Sequence, residues 1–356
     1  MVRRFAFAVP GDLATPTGGY AYDRRMIAEL EQLGWHIDRV DLGEGFPWPS
    51  SETRMSAQAQ LLAVPAGRVI VIDGLAFGVL PDVALKLRSR HPLIALVHHP
   101  LALESGLSKA QTNMLRESER AALAATRCVV VNSAATARHL IADYAVPADR
   151  IVIAPPGSDP APAPAPAPAA SGSHDGIVRL LSVGAVVPRK GFDVLIAALA
   201  TLTDLPWQLT IAGDRSRDPK TAAQLDADIT RFKLDSRVAV LGAVSPGRLA
   251  ELYASADLFA LASRFEGYGM AYAEAIAHGL PVVGTAAGAI PDTVPAGAGV
   301  LVAPDDVDAF ALALRLVIEN RGERLRLATC ARAAAGLLPT WQDSAKIFSR
   351  ALVAVA

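Results

Sequence analysis

Leu258-Phe259-Ala260-Leu261 leads through Ser263-Arg264-Phe265-Glu266-Gly267-Tyr268-Gly269-Met270-Ala271-Tyr272-Ala273-Glu274-Ala275 to His278-Gly279-Leu280-Pro281-Val282-Val283-Gly284. The order is apolar strand, glycine-bearing loop, helix, glycine stop and second apolar strand. Gly267 and Gly269 let the backbone approach a ligand without a Cβ in the way. The helix opening near Met270 presents N–H groups that have no partner within the helix and the positive end of its dipole, a suitable seat for a diphosphate. Glu274 lies about one turn into that helix, where a carboxylate either accepts hydrogen bonds from a diol or complements the dipole. Glu266 precedes the loop and is expected to face a crevice.

Outward from this stretch the same alternation repeats. Strands are expected at Phe5–Val9, His36–Asp41, Val69–Ile72, Leu93–Val97, Cys128–Val131 and Ile151–Ala154, and again at Val178–Val183, Gln208–Ala212, Val238–Leu241, Leu258–Leu261, Pro281–Gly284 and Gly299–Val302. Amphipathic patterns fall between them, among them Tyr20–Leu33, Ser108–Ala124, Ala134–Tyr144, Asp193–Leu202 and Asp306–Asn320. Continuous apolar strands alternating with helices imply parallel sheets covered on both faces. The expected fold is therefore α/β, with two Rossmann-like, doubly wound parallel-sheet domains facing an interdomain cleft, and the ligand at the carboxyl ends of the strands. An Ala-Pro repeat ending in Ser-Gly-Ser-His-Asp divides the halves; repeated proline favours extended backbone and reads as a linker. The expected domains are 1–158, a linker at 159–175, and 176–339. A final helix, 340–356, follows Pro339 and is expected to return to the first domain.

Composition excludes several functions. The 34 Lys and Arg balance 35 Asp and Glu, so there is no basic surplus for nucleic acid. Two cysteines, Cys128 and Cys330, cannot build a disulfide framework or a four-cysteine zinc site, and they suit a reducing compartment. The apolar start, Phe5–Val9, is too short for a signal peptide and ends in Pro-Gly-Asp, so it reads as a strand. No apolar run approaches the ~20 residues of a membrane span. A cytoplasmic protein is expected, at most peripheral to a membrane.

The Glu266–Glu274 stretch resembles the E-x7-E signature of glycosyltransferase family 4, in the retaining GT-B group. Further stations are similar in the same order. They are Gly18-Gly19 before the first helix, Val97-His98-His99-Pro100, Asn132-Ser133, Pro156-Gly157-Ser158-Asp159, Val183-Gly184-Ala185-Val186-Val187-Pro188-Arg189-Lys190-Gly191, Gly213-Asp214, and Trp341 opening the last helix. The resemblance implies a retaining transferase that moves a sugar from a nucleotide-diphosphate sugar, UDP-linked by family habit, to an acceptor hydroxyl. It implies that Glu274 binds the ribose and Glu266 the donor sugar. Lys190 contacts the diphosphate, with the backbone N–H groups of Gly269, Met270 and Ala271 and the loop residues Gly267 and Tyr268. Gly184 and Gly213 line the donor site, and Val244 offers backbone bonds near the base. The Gly18-Gly19 loop closes over phosphates or acceptor, and His98 reaches the transferred sugar. Glu266, His98 and Lys190 are the expected catalytic residues.

One position departs from the family pattern. Ala185 stands where an arginine usually shares the phosphate charge; Arg189 and Arg264 are the candidate substitutes, although neighbours on an extended loop point apart. No cofactor and no metal are expected. Asp226-Ala-Asp228 falls on a helical pattern and reads as a solvated face, and Asp305, Asp306 and Asp308 read as a helix cap. His98 and His99, adjacent on extended chain, do not share a face. The acceptor is open between a polysaccharide intermediate, a lipid and a small metabolite; the apolar runs Phe46-Pro47-Trp48-Pro49 and Leu101–Leu107 belong to the loops that would meet it. Two other readings remain, a GT-B nucleotide-sugar epimerase and a non-catalytic nucleotide-sugar-binding relic.

Overall fold

Phe5 to Val9 are apolar without a break and all are buried, so this strand is covered on both faces. It is β1 (Arg4–Val9) of a computed structural model that describes residues 3–159 and 176–356. The chain continues through α1 (Gly18–Gln32), β2 (His36–Asp41), α2 (Ser51–Leu62), β3 (Ile70–Asp73), α3 (Gly74–Phe77), α4 (Pro81–Leu87), β4 (Leu93–Val97), α5 (Lys109–Leu123), β5 (Cys128–Val131), α6 (Ala134–Tyr144) and β6 (Ile151–Ile153). Beyond residue 175 come β7 (Val178–Val183), α7 (Phe192–Ala200), β8 (Trp207–Ala212), α8 (Pro219–Arg231), β9 (Val238–Val240), α9 (Pro246–Ser255), β10 (Leu258–Ala260), α10 (Met270–Ala277), β11 (Val282–Thr285), α11 (Ile290–Thr293), β12 (Gly299–Val302), α12 (Val307–Glu319), α13 (Arg321–Ala335) and α14 (Trp341–Val355). Two compact units result, one of Met1–Gly157 with Pro339–Ala356 and the other of Ser158–Leu338. From residue 160 the expected Ala-Pro linker lies outside the described residues.

The first unit carries a six-stranded parallel sheet in the order β2-β1-β3-β4-β5-β6. Its chain order reverses between β1 and β3, and loops that leave neighbouring strands in opposite directions open a crevice there. Helix α1 covers the sheet with Tyr22, Met26 and Leu30, one above another at helical spacing, and Thr17 caps it by accepting the Tyr20 N–H at 3.1 Å. Helix α14 packs on α1, β5 and β6 of the same unit, burying Trp341, Phe348 and Leu352. Strand β3 ends one residue later than the pattern suggested: Asp73 pairs in register with Leu96, and its side chain accepts the Leu75 N–H at 2.7 Å. A polar residue at a strand end escapes an apolar-run criterion, and this one matters below.

The second unit carries another six-stranded parallel sheet, ordered β12-β11-β10-β7-β8-β9. This is the dinucleotide-fold order, with its reversal between β7 and β10. The segments leaving the carboxyl ends of those two strands are Gly184–Gly191 and Ala262–Gly269, the motif stretches of the sequence. Trp207, Phe259, Tyr272 and Phe310 are fully buried around the sheet.

Candidate functional site

In the second unit the segment after β7 folds into a 3-10 turn, Pro188–Lys190, closed by Gly191. The turn sets Arg189 and Lys190 on the same carboxylate: Lys190 Nζ donates to Glu266 Oε1 at 2.6 Å and Arg189 Nη1 to Glu266 Oε2 at 3.1 Å. Ser263 Oγ donates to Oε1 at 2.7 Å, and Arg189 Nη1 also donates to the Phe265 carbonyl at 2.8 Å. Glu266 is 6% exposed. Burial alone would raise its pKa; the charges of Lys190 and Arg189 and the hydrogen bonds of Lys190 and Ser263 outweigh it and hold the carboxyl down at about 2.

Three residues on, Gly269 takes φ +93° at the cap of α10, and no side chain caps that helix. A left-handed backbone at this position suits glycine. The first-turn N–H groups of α10 thus open beside Glu266, whose Cβ lies 3.9 Å from where a Cβ on Gly269 would stand. Tyr272 anchors the helix by donating to the Leu261 carbonyl at 2.6 Å. Glu274 lies one turn in, its Oε2 accepting from Tyr253 Oη on α9 at 2.9 Å. Burial is the largest influence on Glu274 and raises its pKa, against the opposing bond from Tyr253. Gly213, after β8, backs onto the Gly184 carbonyl, and Gly184 in turn lies against the Lys190 side chain. A cationic turn, a helix amino end, one buried carboxylate and one half-buried carboxylate at a sheet's switch point make an arrangement suited to a phosphate-bearing polyol.

The first unit holds a separate cluster. His98 follows β4, Asp73 ends β3 and Asp23 lies on α1. His98 Nε2 is 3.1 Å from Asp23 Oδ1 and 3.4 Å from Asp73 Oδ2. Among the described residues this is a group whose ligand-type atoms all lie within 4.8 Å, a spacing a divalent cation would also need. The distances are equally those of an imidazole N–H shared by two carboxylates, and His98 makes that pairing with Asp23 and Asp73. Burial would lower the His98 pKa, but the charge and hydrogen bond of Asp23, joined by those of Asp73, push it up to about 10. Burial, with Asp73 nearby, pushes the Asp23 carboxyl up to about 7 against the pull of His98. Gly19 packs on the ring: a Cβ there would stand 3.2 Å from His98 Cδ2.

The structure gathers Gly184, Arg189, Lys190, Gly213, Glu266, Gly267, Tyr268, Gly269, Met270, Ala271 and Glu274 in the second unit, and Gly18, Gly19 and His98 in the first. Several expectations need correction. Gly18 and Gly19 form the first turn of α1, because Thr17 already caps the helix, and are not a loop ahead of it. Arg264 does not join Lys190 and Arg189 on Glu266: its guanidinium pairs with Asp193 at 2.7 Å and Asp305 at 2.7 Å and donates to the Pro188 carbonyl. Arg189 and Lys190 do not point apart, because they sit on a turn and not on extended chain. Val244 precedes the capping residue of α9 and turns its side chain to the core of its unit, which leaves the expectation about its backbone groups as it stood. Asp228 is not solvated: it is 6% exposed and meets Arg231 at 2.9 Å. Asp306 alone caps α12, accepting the Ala309 N–H at 2.9 Å. Sequence reading missed Asp23, Asp73 and Tyr253. Asp73 had a signal, a carboxylate at a strand end followed by glycine; Asp23 and Tyr253 look like ordinary helix residues.

Comparison with known proteins comes to the same parts of the chain. The family model described as Glycosyl transferases group 1 matches residues 168–334, and that described as Glycosyltransferase Family 4 matches residues 66–161. A D-inositol 3-phosphate glycosyltransferase of Xylanimonas cellulosilytica is 35% identical over 61% of the chain and 54% of its own length. An MMP alpha-(1->4)-mannosyltransferase of Mycolicibacterium hassiacum is 29% identical over 74% of the chain and 67% of its own length. The chain thus spans about half to two thirds of the curated relatives it matches. Among solved structures, sucrose-phosphate synthase from Thermosynechococcus elongatus superposes with TM-score 0.81 at 21% identity, over 99% of this chain and 100% of that one. Anabaena HepE in complex with UDP-glucose gives 0.77 at 20% identity, over 98% and 99%. These likenesses establish the GT-B fold.

Proposed function

We propose, for a chain that belongs to the family 4-like glycosyltransferases, that it moves a sugar from a nucleotide-diphosphate sugar to an acceptor hydroxyl, with retention of configuration and without a metal. The observation that carries this reading is the contact of Lys190 and Arg189 with Glu266 beside the uncapped start of α10. A diphosphate at that helix end competes with Glu266 for the two cations. Its arrival releases a Glu266 oxygen to accept from a sugar hydroxyl, so donor binding and sugar recognition are coupled through one carboxylate. Glu274, steadied by Tyr253, accepts from the ribose. The solved relative named as holding UDP-glucose favours a UDP-sugar donor.

As the glycosidic bond breaks, negative charge gathers on the departing diphosphate. Lys190 and the α10 dipole are fixed where that charge develops, which is the condition for electrostatic catalysis. They supply what a divalent ion supplies elsewhere. The acceptor hydroxyl attacks from the face the phosphate leaves, and a phosphate oxygen takes its proton. Ala185 offers no cation, and Arg189, already shared between Glu266 and the Phe265 carbonyl, takes over part of that charge. The acceptor is a polysaccharide intermediate, a lipid or a small metabolite, met by the first unit. No helix among the described residues is long and apolar enough to cross a membrane. The cytoplasm is proposed as the compartment, in keeping with the free Cys128 and Cys330; a peripheral membrane contact is compatible with it.

A panel of nucleotide sugars tests the reading. The donor that binds the native state raises the melting temperature, by RT ln(1 + [L]/Kd) in stability, and excess EDTA leaves the rise unchanged. No response to any nucleotide sugar would refute the donor site, and a response abolished by EDTA and restored by Mg²⁺ would refute metal independence. Incubation of that donor without acceptor, yielding an epimer, would instead favour the epimerase. Binding without transfer to any acceptor would favour the non-catalytic relic.

A further inference from the structure

Resting on the transferase reading above, we infer that Asp23 and Asp73 are positioning residues that together take His98 Nε2 and thereby make Nδ1–H a fixed donor to an oxygen of the bound substrate. Three elements converge to do this. Asp23 comes from α1, Asp73 from the end of β3 and His98 from the end of β4, at the carboxyl side of the first unit's sheet. Asp23 is fully buried and Asp73 nearly so. Asp73 is itself oriented, its other oxygen accepting the Leu75 N–H at 2.7 Å. The Tyr22 ring meets the imidazole edge-on, centroids 5.3 Å apart at 76°, and Tyr22 is tied down by its hydroxyl bond to the Ala154 carbonyl at 2.8 Å. The ring is thereby held between Tyr22 and the two carboxylates.

Ionised carboxylates only accept, so Nε2 must carry a proton. Nδ1 is buried and has no hydrogen-bond partner among the described residues. A buried polar nitrogen left unpaired is costly, and such an orphan points to a ligand atom. Among the described residues the titratable groups around the ring are Tyr22 and Asp23 from α1, Asp73 from β3, and the adjacent His99, which pairs with Glu104 at 3.5 Å; α6 brings the uncharged Thr136 to the His98 carbonyl. Above about pH 7, where the Asp23 carboxyl is ionised, two anions against no cation in this set keep the ring an imidazolium, and an imidazolium donates from Nδ1 and accepts nothing. His98 is then a hydrogen-bond donor to a substrate oxygen, a sugar hydroxyl or a phosphate, and is not a general base.

The test uses the full chain with ¹⁵N-labelled histidine. In the wild type both His98 ring nitrogens are expected to be protonated, with neither ring proton lost between about pH 6 and 8, although the ionisation of Asp23 near about 7 shifts the Nε2 signal. In Asp23→Asn the His98 titration should fall toward the ordinary histidine range near about 6.5. Sugar transfer by that variant should lose about tenfold or more in kcat with a smaller change in donor KM, and the loss should deepen as pH rises. Asp73→Asn should show the same signature more weakly. Wild-type His98 titrating near about 6.5, or a bare Nδ1 in the wild type, would overturn the inference. So would a stoichiometric shift of the His98 signals by Zn²⁺ or Mn²⁺, which would make the group a metal centre. The wild-type titration decides even if Asp23→Asn does not fold. If the wild type transfers no sugar, the function reading fails while the nitrogen spectra still judge the positioning; normal transfer with unchanged His98 in both variants sinks the positioning alone.

Discussion

Glu266 shows how one side chain sets the chemistry around it. Buried carboxylates ordinarily protonate, yet this one is held ionised by Lys190, Arg189 and the Ser263 hydroxyl. The consequence for stability has a definite sign. Its folded pKa, about 2, lies below the ordinary 4.5, so the stabilisation is fully present above about pH 4.5 and is lost as pH falls through about 2. Glu266→Gln leaves two buried cations without their anion. Urea denaturation should find it less stable than the wild type at pH 7, with the gap closing as pH is lowered from about 5 to about 2. Lys190→Ala removes the cation expected to meet the leaving diphosphate, and kcat should drop by about 10²-fold or more in a coupled assay. Unchanged kcat would separate the Lys190 contact from catalysis. At this scale the sequence carried the residue types and their order, and Glu266, Glu274 and Lys190 were named from it. It did not carry the pairing: Arg189 and Lys190 reach one carboxylate only because a 3-10 turn replaces the extended chain that spacing suggested.

That turn depends on an element boundary. Gly191 ends it at φ +64° and also caps α7. A Cβ here would stand 2.0 Å from the Ala262 carbonyl oxygen, where the chain leaves β10. The same glycine therefore seats the Lys190 turn against the exit of the neighbouring strand. Gly191→Ala must push the two segments apart and adopt a backbone that costs an L-residue roughly 1–2 kcal/mol. Thermal unfolding should show at least that loss, and affinity for the donor should weaken with it because Lys190 shifts from Glu266. Retained stability and affinity together would mean that the turn relaxes without moving the lysine. Strands such as Leu93–Val97 and Cys128–Val131 were legible to the residue, since parallel strands buried on both faces are continuous apolar runs. Helices were less so. The first turn of α1 was read as a loop because of its two glycines, while the capping bond from Thr17, which decides the matter, is a contact and not a composition.

At the scale of the molecule, the chain leaves the first unit at Gly157 and returns to it at Pro339, so α14 completes a core begun at β1. Gly157 is where the two passes meet: a Cβ there would lie 2.1 Å from the Trp341 backbone nitrogen. Phe348 on α14 is fully buried, and Phe348→Ala should cost about 3–5 kcal/mol in the first unit. The melting of the second unit, followed by donor-induced shift, should stay where it is; a common drop in both would show that they unfold as one. By itself the sequence determined two doubly wound halves, the switch-point loop with its glutamates and lysine, and the GT-B resemblance, because those are written in short-range periodicity and in motifs contiguous along the chain. Only the tertiary structure decided the strand orders, the partners of Arg189 and Arg264, and the meeting of Asp23, Asp73 and His98. Those three lie on separate elements, and nothing local records that a helix carboxylate and a strand-end carboxylate will fold onto the same imidazole nitrogen.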